Sequence, residues 1–158
     1  MIAFLYPKED WTAAEIALKI QAVAASQDIE VYSVPKFQKN RKEQIIQRLS
    51  KVSQAIFLAR DVKEIDDDTR EQLIFLKEKS KPVYFIIPKG MENQATALGF
   101  SENIRAYDPD DKMAIIQITE SLLEDLKNDA NKEGLAVFIV LVGMLLLILF
   151  LVLSASKE

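Results

Sequence analysis

Five short apolar runs punctuate the chain before residue 110, and between them apolar residues recur at helical spacing. Ile2–Tyr6 (IAFLY), Ile29–Val34 (IEVYSV), Gln54–Ala59 (QAIFLA), Pro82–Ile87 (PVYFII) and Asn103–Tyr107 (NIRAY) read as β-strands. The first, third and fourth are almost continuously apolar, which is the signature of strands buried on both faces. The second and fifth are mixed, as edge strands often are. After the fifth run, Ile115, Ile116, Leu122, Leu123 and Leu126 lie on one helical stripe. Beyond these comes a different pattern altogether: Leu135–Leu153 (LAVFIVLVGMLLLILFLVL) has no polar face at any period.

Helix starts are marked by cap residues. Thr12 with Glu15, Asn40 with Glu43, and Asp68 with Glu71 each match the capping box. Asp108 followed by Pro109 offers a cap and a first-turn proline. The first helix is expected from about Thr12 to Ser26, with Ala13, Ile16, Ala17, Ile20 and Val23 facing inward. Met91–Gly99 is expected to be irregular. Strand–helix alternation of this kind predicts an α/β three-layer sandwich with a five-stranded parallel sheet. With right-handed crossovers, a flavodoxin-like strand order, 2-1-3-4-5, is the natural expectation. The expected organisation is an α/β domain over 1–127, a polar linker over 128–134, a membrane helix over 135–153 and a short tail over 154–158.

A mean hydropathy of +0.04 looks like that of an ordinary soluble domain, but it averages two unlike parts. Every charged residue except Lys157 and Glu158 precedes Leu135. At 1.5 Å per residue the uncharged stretch matches the ~30 Å hydrocarbon core of a bilayer. The chain therefore reads as tail-anchored in the cell membrane, with its domain in the cytoplasm. Lys127 and Lys132 before the span, against Lys157 after it, agree with that orientation. Ala136 and Gly143 share one face of the span, where they would let another helix approach closely.

Composition removes whole chemistries. There is no cysteine and no histidine, hence no thiolate nucleophile, disulfide, imidazole base or Ser-His-Asp triad. The absence of cysteine also fits a reducing compartment. The four glycines, at 90, 99, 134 and 143, cannot write a phosphate-binding loop. A net charge of −4 argues against nucleic acid as a general partner.

The strand edges resemble those of a TIR domain. FLYPKED supplies Phe4, Leu5, Tyr6 and Asp10 at the places of the family's first strand and loop. IEVYSV resembles its second strand, and the segment after it the BB loop. QAIFLA, the acidic loop, the helix with Glu71 and KPVYFIIPKG resemble the third strand through the fourth, and NIRAYDPDD the end of the domain. The likeness covers roughly 1–127. Ala59 stands where the family has a serine, and Ile65-Asp66-Asp67-Asp68 where it has an S-x-W-C cluster. The resemblance implies self-association. It also places Glu71 at about the spacing of the catalytic glutamate of NAD-cleaving members.

Candidate chemistry then gathers at the carboxyl edge of the sheet, where open α/β folds bind ligands. Tyr6, Lys8, Asp10, Trp11 and Arg60 are the candidate ligand-binding residues, suited to a nucleotide. Trp11 and Tyr6 could stack on a base, or staple the first helix to the sheet edge. Glu71 is the candidate catalytic residue; its carboxylate would stabilise an oxocarbenium ion as nicotinamide leaves NAD. Its structural alternative is the capping box with Asp68. Asp66, Asp67 and Asp68 read as a helix start rather than as a metal site.

The basic run Lys36, Lys39, Arg41, Lys42, Arg48 and Lys51 has three readings: a solvated face, a lipid contact, or a surface docking on Asp61–Asp68 of a second copy. The third is preferred. It makes Lys36, Lys39, Arg41, Lys42, Asp61, Asp66 and Asp67 the self-association set of a homo-oligomer. Three functions follow: a membrane-anchored TIR-like signalling effector, resembling prokaryotic anti-phage effectors; a membrane-bound NAD hydrolase; or a flavodoxin-like nucleotide sensor.

Overall fold

A computed structural model describes residues 1–34, 41–128 and 135–155. Five strands form one all-parallel sheet in the order β2-β1-β3-β4-β5: β1 (Ile2–Leu5), β2 (Val31–Ser33), β3 (Gln54–Leu58), β4 (Val83–Pro88) and β5 (Ile104–Tyr107). Register is carried by Ile2 opposite both Val31 and Gln54, Ala55 opposite Val83, and Phe85 opposite Ile104. β1 and β3 are buried at every position, whereas β2 is half-buried throughout, as an edge strand should be.

Strand alternation divides the core into two layers. Ile2, Phe4, Ile56, Leu58 and Ile86 face α1 (Trp11–Ala25) and α5 (Ala114–Asn128). Ala3, Leu5, Phe57, Phe85 and Ile87 face the opposite layer, built from α2 (Lys42–Ser50), α3 (Asp67–Glu78) and α4 (Glu92–Ala97). In that second layer the Phe57, Phe85 and Phe100 rings form a tilted and edge-on series with centroids 5.4 and 4.9 Å apart.

Helix α6 (Leu135–Ala155) is 21 residues long with a mean hydropathy of 3.4. It is long and apolar enough to cross a membrane by length and composition. In the structure it lies along α1 and α5 and joins the first core layer. Phe138 is fully buried there, with its ring centroid 4.7 Å from that of Tyr84.

Local details differ from the sequence expectations for identifiable reasons. The first helix is capped by Asp10, whose carboxylate accepts from Ala13 N at 2.9 Å, so Thr12 lies inside the first turn. Glu15 pairs with Lys19 at 2.7 Å instead of closing a capping box. α3 is capped by Asp66, not Asp68. The expected cap Asn40 lies outside the described residues, and α2 starts after Arg41 without a side-chain cap bond.

Asp108 and Asp111 each fold into a turn, accepting from Asp110 N and Met113 N, both at 2.9 Å. This delays α5 to Ala114. Val23 points outward, and Ala24 takes the core position. Met91–Gly99 contains a real helix: Gln94 holds α4 against the β3–α3 loop by donating to Lys63 O at 2.7 Å and accepting from Ile65 N at 2.8 Å. Gly99, at φ +90°, ends it. The expected linker lies almost wholly outside the described residues.

Candidate functional site

The sheet order reverses between β1 and β3, so their carboxyl ends form the switch point at which such folds receive ligands. Here that point is filled by Asp10. Its side chain is completely buried, and its second oxygen accepts from Arg60 N at 2.5 Å and Asp61 N at 3.0 Å. With Ala13 N, three backbone donors converge on one carboxylate. Burial pushes its pKa above the ordinary carboxylate value, and the three N–H groups pull against that shift.

The two loops are stitched in both directions. Asp61 returns the contact by accepting from Thr12 N at 3.2 Å and from the Thr12 hydroxyl. Asp66 accepts from Lys8 N at 2.7 Å while capping α3 through Thr69 N at 2.9 Å and the Thr69 hydroxyl at 2.7 Å. Burial opposes ionisation of Asp66, but these donors outweigh it and hold its pKa below the usual range. Lys8 Nζ reaches Asp68 at 3.4 Å across the surface. Tyr107, arriving from β5, donates its hydroxyl to Ala59 O at 2.6 Å. Burial pushes that phenol up to about 12, although the neighbouring Arg60 guanidinium and its hydrogen bond act the other way.

Of the candidate ligand-binding residues, Asp10 and Arg60 are therefore brought together, with Lys8 on the rim. The Asp10 oxygens already hold backbone donors. Tyr6 is half-buried and turned toward β2, its hydroxyl near Val34 O at 3.5 Å. Burial raises its pKa, opposed by a hydrogen bond with Ser33. Trp11 opens α1 with its indole exposed. Tyr107, Thr12 and Thr69 complete the cluster; none of them is a candidate site residue from the sequence, where Thr12 reads only as a helix cap. Tyr107 ends a strand that the sheet separates from β3 by β4, so no local spacing pointed to it.

Glu71 lies in the second turn of α3, facing α2, where Lys42 Nζ binds it at 2.6 Å. This partner, and not a cap on Asp68, accounts for its place. The contact raises the Lys42 pKa, through the hydrogen bond and charge of Glu71 first. The self-association set divides accordingly. Lys42 meets an acid of its own chain, Asp61 and Asp66 turn into the loop stitching, and Asp67 stays outward with Arg70 at 3.6 Å. Arg41 is exposed at the start of α2. Lys36 and Lys39 lie outside the described residues. The three consecutive carboxylates thus divide their roles: Asp66 caps α3 and takes the Lys8 N–H, Asp67 meets Arg70, and Asp68 meets the Lys8 ammonium.

On α6, Ala136 is exposed and Gly143 half-buried, with nothing within 4 Å of where a Gly143 Cβ would stand. At the opposite, amino-terminal edge of the sheet a cavity of about 1010 Å³ is lined by Lys77, Lys81, Asn103, Arg105, Asp125 and Leu135, among others. Its charges are mixed: the Arg105 guanidinium binds Asp125 and approaches Ser121 at 3.4 Å, while its Nε is buried without a hydrogen-bond partner among the described residues. No family model, curated protein or solved structure matches the chain.

Proposed function

We propose that this protein is a membrane-anchored signalling effector of TIR-like build. Its α/β domain faces the cytoplasm at the cell membrane, senses a ligand or partner, and self-associates so that several α6 helices meet in the bilayer. The observation that carries this reading is the outer face of α6. Val137, Val140, Leu147, Phe150 and Leu151 are all exposed, and no polar side chain interrupts them. A helix serving only as part of a water-soluble core would present polar residues there. A lipid-facing helix has no such need.

The signalling role is placed ahead of NAD cleavage because of how the acids are used. Glu71 is exposed and neutralised by Lys42, and Asp10 is spent on backbone donors. Arg41 and Asp67 remain outward and of opposite sign. A contact between them in two copies would join different surfaces and so propagate.

The test uses the whole chain fused to an inducible dimerising domain, alongside a Leu147→Lys/Leu151→Lys variant and a Glu71→Gln variant. A lysine near mid-span at 147, with a second toward the helix end at 151, opposes insertion by about 3 kcal/mol or more. The expected result is that wild type resists alkaline extraction from membranes, and that forced clustering arrests growth. The lysine variant should be extracted and harmless, and Glu71→Gln should behave as wild type. Loss of arrest in Glu71→Gln, with nicotinamide released only by the wild type, would replace this reading with the hydrolase.

A further inference from the structure

Helix α6 satisfies two environments that exclude each other. Its length, about 31 Å at 1.5 Å per residue, and its uncharged sequence suit a bilayer. Yet Leu135, Phe138, Val142, Leu145, Leu149 and Leu153, spaced three and four apart, are buried against the α/β domain along the whole helix. Phe138 reaches deepest and meets Tyr84 of β4. The opposite stripe carries Leu147 and Leu151, each about two-thirds exposed.

We infer that α6 is a two-state element. Away from a membrane it is sheathed on α1 and α5, and at a bilayer it leaves that site and inserts. The inference rests on the membrane reading above and adds a stored, membrane-free form. The physical reason lies in the kind of contact. The stripe of α6 that faces the domain is apolar, and Phe138 meets Tyr84 ring against ring. In water the hydrophobic effect drives the inner stripe onto the domain. Among lipid tails, which are as apolar as leucine, that drive disappears, and the bare stripe is covered as well. The environment itself therefore selects the state. A ligand that altered the packing of α1 or α5 would change the balance, because α6 lies on both.

The chain contains no cysteine, so spin labels can be placed at will. Gln117→Cys on α5 and Ser154→Cys near the end of α6 are both exposed positions. The labelled full-length chain is synthesised cell-free without detergent, then mixed with vesicles of phosphatidylcholine and phosphatidylglycerol at three to one. The expected outcome is a soluble monomer with one narrow label–label distance, which is lost as the protein floats with the vesicles. Leu147→Lys/Leu151→Lys in the same background should keep the narrow distance and float several-fold less.

Aggregation before vesicles are added would overturn the sheathed state while leaving the anchor reading intact. A chain that stays soluble, keeps its distance and never floats would make α6 a permanent core helix, and the anchor reading would fall with the inference. Equal flotation of the lysine variant would also overturn it, by showing that another surface binds the vesicles.

Discussion

The carboxylates of Asp10 and Asp61 each take a backbone N–H from the other's loop. Asp10 accepts from the N–H of Asp61 at 3.0 Å, and Asp61 accepts from the N–H of Thr12, two residues after Asp10. The exchange closes the sheet's switch point and locks the β1–α1 and β3–α3 loops into one unit. Sequence separation between the partners is 51 and 49 residues, so this unit forms only once β1 and β3 have paired.

Asp10→Ala strands three backbone donors and removes the α1 cap. A loss on the order of 3 kcal/mol or more is expected, with a smaller loss for Asp10→Asn, which keeps an acceptor. The only tryptophan, Trp11, adjoins this cap, so its fluorescence during urea unfolding reports the change directly. Equal midpoints for Asp10→Ala and wild type would show that the clamp contributes nothing.

Asp66 and Asp10 should respond to acid with opposite sign. The Asp66 pKa is lowered from 3.8, so its contribution is present above that value and lost as pH falls through the lowered one. Asp66→Asn should cost about 1 kcal/mol at neutral pH, with the gap to wild type closing below pH 3.8. The Asp10 pKa is raised, so ionisation opposes folding there, and this penalty is relieved as pH falls through the raised value toward 3.8. Unfolding midpoints measured from acid to neutral pH test both signs.

Tyr107→Phe removes the hydroxyl bond to Ala59 O and should cost about 1 kcal/mol. The same substitution should remove a phenol that ionises near 12 from an alkaline absorbance titration. Because the folded pKa is about 12 against an ordinary 10.0, wild type loses stability as pH rises between those values. Tyr107→Phe should lose less over that window.

Lys42→Glu sets two acids opposite each other at an exposed site, where ion pairs contribute less than about 1 kcal/mol. The melting temperature should fall slightly and recover in Lys42→Glu/Glu71→Lys. If the basic patch also docks on a second copy, Arg41→Glu should reduce oligomer size in light scattering without shifting the melting temperature. Unchanged size would remove Arg41 from the interface.

Gly143→Leu should be tolerated in the fold, because no described atom outside its own helix lies within 4 Å of where a Cβ would stand and leucine favours a helix over glycine by about 0.8 kcal/mol. In a bilayer the same change should weaken association of α6 with a second helix, measured by energy transfer between labelled copies. Unimpaired transfer would mean that this face is not where helices meet.

Much of the fold was legible because its signals are local or periodic. Phe4, Ile56 and Phe85 sit in continuous apolar runs, and only a strand covered on both sides tolerates such runs. The candidate site was legible in part. Asp10 is legible in the sequence as a residue of the sheet edge, and the structure places it there. That its oxygens face Arg60 N and Asp61 N depends on a loop fifty residues away. Glu71 was read as a cap or a catalyst, and its actual partner, Lys42, belongs to a different helix. α4 was missed because Gln94 gains its hydrogen bonds from the β3–α3 loop, outweighing a weak local helix tendency.

What this sequence determined by itself is the division of the chain into a charged α/β part and an uncharged helix, together with the alternation of strands and helices in the former. Alternation, burial on two faces and connection rules act along the chain and need no distant partner. The tertiary structure alone decided which carboxylates are consumed as acceptors and which side of α6 is covered. Hydrogen-bond partners and apolar contacts across fifty or more residues follow from packing, and a helix that is apolar all round carries no mark of which face will be buried.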